Sequence, residues 1–325
     1  MTEAPLFQRR SLDVGGVRLT LRTSEGQPDD RPVVLLLHGF PQTHAMWLPV
    51  AQRLASKAWL VMPDLRGYGD SDKPATDAMH SPYSKRAMAQ DMVALMAALG
   101  VTRFAVCGHD RGVRVAHRLA LDHPEAVTRL ALIDIVPTLD VYAGHWGHTD
   151  DTAPGAPDLP RYFALGQAYH HWFHLTQPAP LPEQMIGGCA RDYLHHTLGG
   201  WGTGGLDHLA PQALADYERC FDNPATRHAM CEDYRAGASI DLEHDRASRA
   251  AGQHIACPTL VLWGERGVVH RLFNPLPLWQ AQCALPVQGC ALPAGHFIPE
   301  ECPEATAAAL AAFFALAPAA PNPQA

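Results

Sequence analysis

The sequence predicts an α/β fold in which a mostly parallel sheet, flanked by helices, is interrupted by an inserted helical segment. Short apolar runs alternate with helical patterns up to residue 136. The next stretch, 137–247, contains no strand-like run and is rich in His, Tyr, Trp and polar residues. A buried strand then returns at "CPTLVLWGE". We therefore predict a core formed by residues 1–136 and 248–325, and a helical cap formed by residues 137–247.

The core strands are predicted from continuous runs of β-branched and other apolar residues, which are typical of strands buried on both faces. Such runs occur within residues 32–40, 58–64, 103–110, 128–136 and 257–265, and a last strand followed by a loop is predicted within residues 285–297. Helical spacing with terminal Gly or Pro signals predicts core helices at 84–100, 112–124 and 303–317. Strands that alternate with helices form βαβ units, and these units favour a parallel sheet.

Composition and charge exclude several classes of function. The 325-residue chain is 47% hydrophobic and 18% charged, which is typical of a globular protein. Its net charge of −8 and its lack of a basic block argue against nucleic-acid binding. The first residues lack the apolar core of a signal peptide, and the apolar run at 306–317 is too short to cross a bilayer. We expect a cytoplasmic protein without a membrane partner.

Neither the cysteines nor the histidines predict a metal or a cofactor. None of the eight cysteines forms a C-x-x-C pair, so we expect reduced thiols. The segment "HWGHTDD" (His145, His148, Asp150 and Asp151) is the best metal candidate, but it lacks the H-E-x-x-H arrangement. It lies in the Gly/Pro-rich stretch 143–160, for which a long solvated loop is the better interpretation. We expect neither a metal nor an organic cofactor.

The segment "GHDRG" (108–112) has the G-x-Nu-x-G pattern of a nucleophile elbow, in which a sharp turn joins a strand to a helix. The central residue is Asp110, so the candidate nucleophile is a carboxylate. The start of the following helix favours an ionised side chain. Aspartate is also a common helix N-cap, so a plain turn is the alternative. The strand before the motif and the helix after it favour the elbow.

Two further residues complete a candidate triad with Asp110. His296, in "AGHF", follows the last predicted strand and is the candidate general base, against the alternative of a solvated loop histidine. Asp134 ends "LALIDI" and can orient that histidine. Glu265 in "LWGERG" competes for the same role, and the residues alone favour Asp134.

Arg111 and Arg114 follow the candidate nucleophile and lie three residues apart, so they share one face of a helix. Guanidinium groups bind carboxylates through paired hydrogen bonds. The pair therefore predicts a small substrate that carries a carboxylate. The alternative is that both arginines only neutralise Asp110 and nearby acids.

The motifs together are similar to those of the fluoroacetate dehalogenases of the α/β-hydrolase superfamily, over nearly the whole chain. The pieces "HGFPQTHAMW" and "MPDLRGYGDSDKP" are shared with epoxide hydrolases. Narrower matches are "GHDRGVRVAHRLALDHP", "LIDIVPT", "HWF", "QPAPLPE", "CEDYRAGASIDLEHD" and "AGHFIPEE". The resemblance implies the α/β-hydrolase fold, a homodimer and no cofactor. It also implies that the acid of the triad is Asp134 and that both arginines bind the substrate carboxylate.

The resemblance assigns further residues of the inserted segment to the site. His171, Trp172 and Tyr234 match the halide-binding residues of the family, and Trp201 matches a tryptophan that lines its pocket. His170 and His174 are neighbouring alternatives for the halide histidine. The segment between "LIDIVPT" and "HHWF" is longer than in the family, so the preference among halides stays open.

A carboxylate nucleophile suits displacement at a saturated carbon. Asp110 would displace halide from a haloacetate and form an ester, which water activated by His296 and Asp134 would hydrolyse. The backbone N–H groups of Arg111 and Phe40 are the candidate oxyanion donors. The expected reaction converts fluoroacetate to glycolate and fluoride.

Two other functions remain open at this point. The first is an epoxide hydrolase that uses the same ester chemistry, for which Tyr162, Tyr169, Tyr193 and Tyr217 are available. The second is a non-enzymatic member of the same fold. The arginine pair and "HWF" argue against the first, and the complete set of Asp110, Asp134 and His296 argues against the second.

Overall fold

The computed structural model describes residues 6–28, 30–147 and 158–316. Its centre is a sheet of eight strands. They are β1 (Phe7–Asp13), β2 (Arg18–Ser24), β3 (Val33–Leu37), β4 (Trp59–Pro63), β5 (Phe104–His109), β6 (Val127–Ile133), β7 (Thr259–Gly264) and β8 (Val287–Leu292). The spatial order is β1-β2-β4-β3-β5-β6-β7-β8.

The sheet is mostly parallel, as the sequence predicts. From β4 to β8 every neighbouring pair is parallel, whereas β2 pairs antiparallel with both β1 and β4. Strands β1 and β2 were not predicted. The sequence of β1, "FQRRSLD", has mostly exposed or half-buried residues because the strand lies at the edge of the sheet. A strand of this kind lacks the continuous apolar run that identifies the buried strands.

Helices cover both the core and the insertion. The core helices before the insertion are α1 (Leu48–Leu54), α2 (Lys85–Ala98) and α3 (Arg111–Asp122). Those after it are α12 (Val268–Leu272), α13 (Pro275–Gln280), α14 (Ile298–Glu301) and α15 (Pro303–Phe313). Two short 3-10 helices span His44–Trp47 and Ser81–Tyr83.

Eight helices, here called the inserted helices, lie between β6 and β7 in the described residues. They are α4 (Thr138–Ala143), α5 (Leu159–Ala168), α6 (His170–His174), α7 (Leu181–Gly187), α8 (Ala190–Trp201), α9 (Pro211–Asp222), α10 (Pro224–Gly237) and α11 (Ile240–Ala250). No strand occurs in the described part of this segment. The division into core and cap stays a prediction, and its boundary at residue 247 falls inside α11.

The structure describes the ends of the predicted loop 143–160 but not residues 148–157. His145 is described, and its Nδ1 lies 3.1 Å from Asp140 Oδ1. His148, Asp150 and Asp151 lie outside the described residues, so the interpretation of "HWGHTDD" as a loop stays a prediction.

The apolar run near the C-terminus belongs largely to α15, which packs on α1. Across the described residues, none of the helices combines the length and the apolar character that crossing a membrane would need.

At the turn between β5 and α3, the helix approaches the sheet closely. An added Cβ on Gly108 would lie 2.5 Å from the carbonyl oxygen of Gly112. An added Cβ on Gly112 would lie 2.3 Å from the carbonyl oxygen of Leu37, at the end of β3. The helix can approach the sheet this closely because both positions lack side chains. This approach brings the start of α3 over the carboxyl ends of β3 and β5.

Gly112→Ala tests this close approach. We expect the free energy of unfolding to fall by about 1–3 kcal/mol, because the methyl group must push α3 away from β3. Gly200→Ala is the matched control, since Gly200 lies in α8 and its added Cβ would have no atom within 4 Å. Urea unfolding monitored by circular dichroism measures both. Equal stability of the two variants would contradict the packing argument.

Candidate active site

Asp110 occupies the turn between β5 and α3 and is buried, with 5% of its surface exposed. Its backbone has φ 48° and ψ −116°, a conformation that non-glycine residues rarely adopt. The backbone N–H of Phe40, which follows β3, donates to Asp110 Oδ1 at 2.9 Å. The N–H of Arg111, the second predicted oxyanion donor, makes no hydrogen bond to this carboxylate in the described structure. Phe40 is therefore the donor that already contacts the candidate nucleophile.

His296 and Asp134 lie beside Asp110, as a triad requires. His296 Nδ1 lies 2.6 Å from Asp134 Oδ2. Asp134 Oδ1 accepts the N–H of Gly264 at 2.9 Å, which fixes the carboxylate. His296 Nε2 lies 3.9 Å from Asp110 Oδ2 and makes no hydrogen bond to any described residue. This nitrogen thus faces the candidate nucleophile with room for a proton-transfer partner.

The charges of the triad set the protonation of His296. Burial acts to lower the pKa of His296, but the hydrogen bond and charge of Asp134, with the charge of Asp110, raise it above the ordinary 6.5. Burial raises the pKa of Asp134, and His296 opposes that rise. The two side chains therefore stabilise each other's charged forms in a site closed to water.

Glu265, the alternative acid, lies outside this arrangement. Its side chain is 46% exposed, and its carboxylate is 3.7 Å from Arg266 Nε. His296 Nδ1 donates its hydrogen bond to Asp134 instead. The geometry therefore favours Asp134 as the acid, in agreement with the preference drawn from the residues.

Arg111 is buried and firmly held by a carboxylate that the sequence did not single out. Its Nε donates to Asp233 Oδ2 at 2.9 Å, and its Nη2 donates to Asp233 Oδ1 at 2.8 Å. The guanidinium carbon lies 4.2 Å from the centre of the Tyr234 ring. The ion-pair partner of Arg111 is therefore Asp233 on α10, and not Asp110.

Arg114 is equally buried but is poorly paired. Its Nη1 donates to the hydroxyl of Thr138, whereas its Nε and Nη2 have no hydrogen-bond partner in the described part of the chain. Burial and the nearby charge of Arg111 lower the pKa of Arg114 to about 10, and Asp110 opposes this effect. The group remains a cation at neutral pH. A buried cation with two unpaired donors is costly unless an anion joins it.

Aromatic side chains close the space above Asp110. The rings of Phe40 and His171 stack at 5.9 Å, and His171 also lies 4.4 Å from the Trp201 ring. The Tyr234 ring is 5.3 Å from Phe40, and Trp201 is 5.5 Å from His296. The hydroxyl of Tyr234 and Nδ1 of His171 are buried without a hydrogen-bond partner among the described residues. Both polar atoms are available to a bound ligand.

Trp172 lies on the Arg114 side of this space. Its ring is stacked between Tyr169, at 5.5 Å, and Tyr142, at 5.8 Å. The Arg114 guanidinium carbon is 4.9 Å from the centre of the Trp172 ring. The predicted halide residues and the predicted carboxylate residues therefore surround one site.

The neighbouring histidines are placed differently from His171. His171 is buried, whereas His170 is exposed and His174 is half-buried against the Tyr193 ring. Burial lowers the pKa of His171 well below its ordinary value, so its ring is neutral at neutral pH. Of the three histidines, His171 is the one that lies against Phe40, so its position favours it as the candidate halide histidine.

The four tyrosines that the sequence offers for epoxide chemistry, Tyr162, Tyr169, Tyr193 and Tyr217, differ in their surroundings. Tyr217 donates its hydroxyl to Glu300 at 2.8 Å, and Tyr162 packs on Trp146, so both are engaged elsewhere. Tyr193 stacks on Phe221, with a ring distance of 6.1 Å. Tyr169 and Tyr234, by contrast, line the space near Asp110.

One group of possible metal ligands occurs among the described residues, away from the triad: Glu183, His228 and Glu232. Arg235 Nη1 donates to both carboxylates of this group at 2.7 Å. The group therefore forms an ion-pair network around a guanidinium.

Comparisons with known proteins agree with this geometry. A family model described as the alpha/beta hydrolase fold matches residues 32–298. The chain belongs to the alpha/beta hydrolase family. It is 41% identical to a fluoroacetate dehalogenase from a Burkholderia species, over 94% of this chain and 93% of the relative. This match confirms the resemblance that the motifs indicated.

This alpha/beta hydrolase is also similar to an epoxide hydrolase in sequence and to a solved alpha/beta hydrolase in structure. It is 32% identical to a soluble epoxide hydrolase from Corynebacterium sp. (strain C12), over 87% of this chain and 90% of that one. Its structure resembles the crystal structure of a candidate alpha/beta hydrolase from Nostoc sp PCC 7120, with a TM-score of 0.84 and 47% identity. That match covers 94% of this chain and 97% of the other. The predicted fold is thus confirmed.

Sequence reasoning missed three contributors to the site. Asp233 stands beside Tyr234 in "CEDYRAG", but its neighbour Glu232 offers the same charge, so the sequence did not distinguish them. Thr138 follows "LIDIVP", and its partnership with Arg114 depends on the path of the chain after β6. Tyr142 stacks on Trp172 only because α4 and α6 meet. The helical spacing of α10 is the one signal that could have indicated that Asp233 lies on the face of this helix that meets Arg111.

Asp134→Asn tests the electrostatics of the triad. Without the carboxylate, the lowering effect of burial is opposed only by the charges of Asp110 and Glu301, so the pKa of His296 is expected to fall. The raised pKa in the wild type contributes stability below pH 6.5 that is lost as the pH rises through the folded-state pKa, and the variant should lack this contribution.

NMR titration of isotope-labelled histidines measures the change, with His296→Asn identifying the resonance. An unchanged or raised pKa in the Asp134→Asn protein would contradict the assignment of Asp134 as the partner.

Proposed function

We propose that this alpha/beta hydrolase removes halide from haloacetates by hydrolysis, converting fluoroacetate to glycolate and fluoride. The observation that carries the proposal is the buried carboxylate of Asp110 beside Arg114, a buried cation with two unpaired donors. This arrangement suits a small substrate that brings its own carboxylate. The relative that is named a fluoroacetate dehalogenase supports the same choice.

The first step is displacement of halide by Asp110. The Phe40 N–H holds Oδ1, which leaves Oδ2 on the side that faces His296. We propose that Arg114 and Arg111 bind the substrate carboxylate and present the halogen-bearing carbon to Asp110. An oxygen of Asp110 forms a bond to that carbon, the carbon–halogen bond breaks, and the halide takes the electron pair. The product is an ester between Asp110 and the acid.

The second step is hydrolysis of this ester. A water molecule transfers a proton to His296 Nε2 and attacks the carboxyl carbon of Asp110. Asp134 stabilises the imidazolium, and the Phe40 N–H stabilises the negative oxygen that develops on Asp110. Breakdown of the intermediate breaks the bond between the Asp110 carboxyl carbon and the ester oxygen, which takes the proton from His296 and leaves as the hydroxyl of glycolate. The Asp110 carboxylic acid then loses its proton to water, which restores the carboxylate.

The halide leaves into the aromatic space formed by His171, Trp172 and Tyr234, with Trp201 lining the same pocket. His171 and Tyr234 contribute polar atoms that are buried and unpartnered in the described structure. Trp172 contributes an indole N–H donor and packs on Arg114. Fluoride is a poor leaving group, so its departure needs several donors in a site with little water.

Epoxide hydrolysis is the second candidate function. Tyr169 and Tyr234 line the space near Asp110, and two such hydroxyls can protonate an epoxide oxygen during ring opening. The soluble epoxide hydrolase at 32% identity supports this candidate. A neutral epoxide would leave the charge of Arg114 unpaired, and for this reason we favour the haloacetate.

We also propose that the protein is a cytoplasmic homodimer with no cofactor. Large apolar side chains are exposed on three of the inserted helices, and a second copy would cover them: Leu159, Phe163, Phe173, Leu181 and Met185. All eight cysteines are free, as a reducing compartment would require.

Halide release tests the reaction. We expect the wild type to release both fluoride and chloride, from fluoroacetate and chloroacetate, measured with ion-selective electrodes. Asp110→Asn should release neither, because the nucleophile is lost. His296→Asn should accumulate a carboxymethyl ester on Asp110, visible as added mass in the intact protein.

Release of both ions without an adduct in His296→Asn would contradict the two-step scheme. Turnover of a small epoxide without any halide release would favour the second candidate.

Trp172→Phe tests the halide pocket. The change keeps an aromatic ring beside Arg114 but removes the indole donor, so fluoride release should fall at least about tenfold more than chloride release. Trp263→Phe is the control, because Trp263, on β7, donates its indole N–H to His270 on α12, outside this space. An equal loss of both ions in Trp172→Phe would rule out a specific role in halide binding.

A further inference from the structure

The two arginines beside Asp110 differ in their surroundings. Arg114 has unpaired donors, whereas Arg111 is fixed by three hydrogen bonds to one residue, Asp233. These bonds use Nε and Nη2 of Arg111 and leave Nη1 without a hydrogen bond to any described residue. The orientation of the guanidinium plane, and so the direction of Nη1, is set by Asp233.

Asp233 is itself held by groups that do not reach the triad. Lys85 Nζ forms an ion pair with Asp233 Oδ1, and the Tyr68 hydroxyl donates to Asp233 Oδ2 at 2.6 Å. Burial acts to raise the pKa of Asp233, but the charges of Arg111 and Lys85 outweigh it and hold the pKa well below its usual range. Asp233 is therefore an anion with fixed geometry.

Gly237 lies one helical turn after Asp233 on α10 and faces the same guanidinium. An added Cβ at Gly237 would lie 2.9 Å from Arg111 Nη2 and 3.4 Å from Nη1. The ring of Tyr234, on the same helix, packs against this guanidinium, with 4.2 Å between the guanidinium carbon and the ring centre. Helix α10 thus attracts Arg111 at Asp233 and leaves room for it at Gly237.

We infer that Asp233 and Gly237 are positioning residues that aim Arg111 at the substrate carboxylate, and that they thereby set the preference for a charged acid over its neutral amide. The inference rests on the proposed function, because it concerns the binding of the same substrate. Its physical basis is that a paired hydrogen bond to a carboxylate requires a fixed guanidinium plane. A neutral amide gains much less from that plane.

The test compares chloroacetate with chloroacetamide. The ratio of their kcat/KM values is measured by chloride release in the wild type, Asp233→Asn and Gly237→Ala. We expect the ratio to fall at least about tenfold in both variants, mainly through a higher KM for chloroacetate. A residue that merely supports the fold would lower both kcat/KM values and leave the ratio unchanged.

Gly237→Ala keeps the test decisive if Asp233→Asn does not fold, since alanine favours a helix more than glycine does. Gly200→Ala, another helical Gly→Ala change with open space around its Cβ, is the matched control and should keep the wild-type ratio. An unchanged ratio in a folded Asp233→Asn or Gly237→Ala protein would overturn the inference.

Binding of acetate and acetamide, measured by calorimetry, separates this failure from a failure of the proposed function. If the wild-type protein does not bind acetate and does not release halide, both proposals are overturned. Wild-type protein that binds acetate, together with variants that bind it equally well, would overturn only the positioning role.

Discussion

The turn that carries Asp110 is the constraint on which the rest of the site depends. A non-glycine residue at φ 48° costs about 1–3 kcal/mol, and the surrounding structure must hold it there. The carbonyl of Ile133 accepts the Asp110 N–H at 3.1 Å, and the Phe40 N–H holds the side chain. Neighbouring strands thus fix both the backbone and the carboxylate of this residue. A relaxed turn would move Asp110 away from His296 and from both arginines.

The second constraint is the burial of charge around this turn. Asp110, Asp134, His296 and both arginines are each less than one-tenth exposed. Inside a protein an unpaired charge is far more costly than in water. Asp233 offsets this cost for Arg111, and Asp134 offsets it for His296. Arg114 has no carboxylate partner among the described residues. A carboxylate ligand is the simplest way to complete the set.

The sequence predicts the part of the site that lies on the sheet. Asp110 and Asp134 each follow a buried strand, whereas His296 follows the edge strand β8, and the carboxyl ends of neighbouring parallel strands meet at one edge of the sheet. Their proximity therefore follows from strand order, which apolar runs reveal. Strand β1 was missed because it lies at the edge of the sheet, where its polar residues do not form an apolar run.

The inserted helices are harder to predict because their contacts depend on how the helices pack. The sequence cannot show that Asp233, rather than Glu232, turns toward Arg111. It also cannot show that Trp172 stacks between residues of two other segments, Tyr142 and Tyr169. His171 and Tyr234 were found through family resemblance, since an isolated aromatic residue in a helix is more often a packing residue.

The residues that follow the sheet strands and the residues of the inserted helices contribute differently to the choice of substrate. Under the proposed mechanism, the triad forms and hydrolyses an ester whether the electrophile is a haloacetate or an epoxide, so it does not discriminate between them. Discrimination must come from the groups that meet the rest of the substrate. A neutral epoxide would enter beside Arg114 and leave its two buried donors unpaired. A haloacetate would bring a carboxylate to these donors, so the same burial that penalises the first substrate would strengthen the binding of the second.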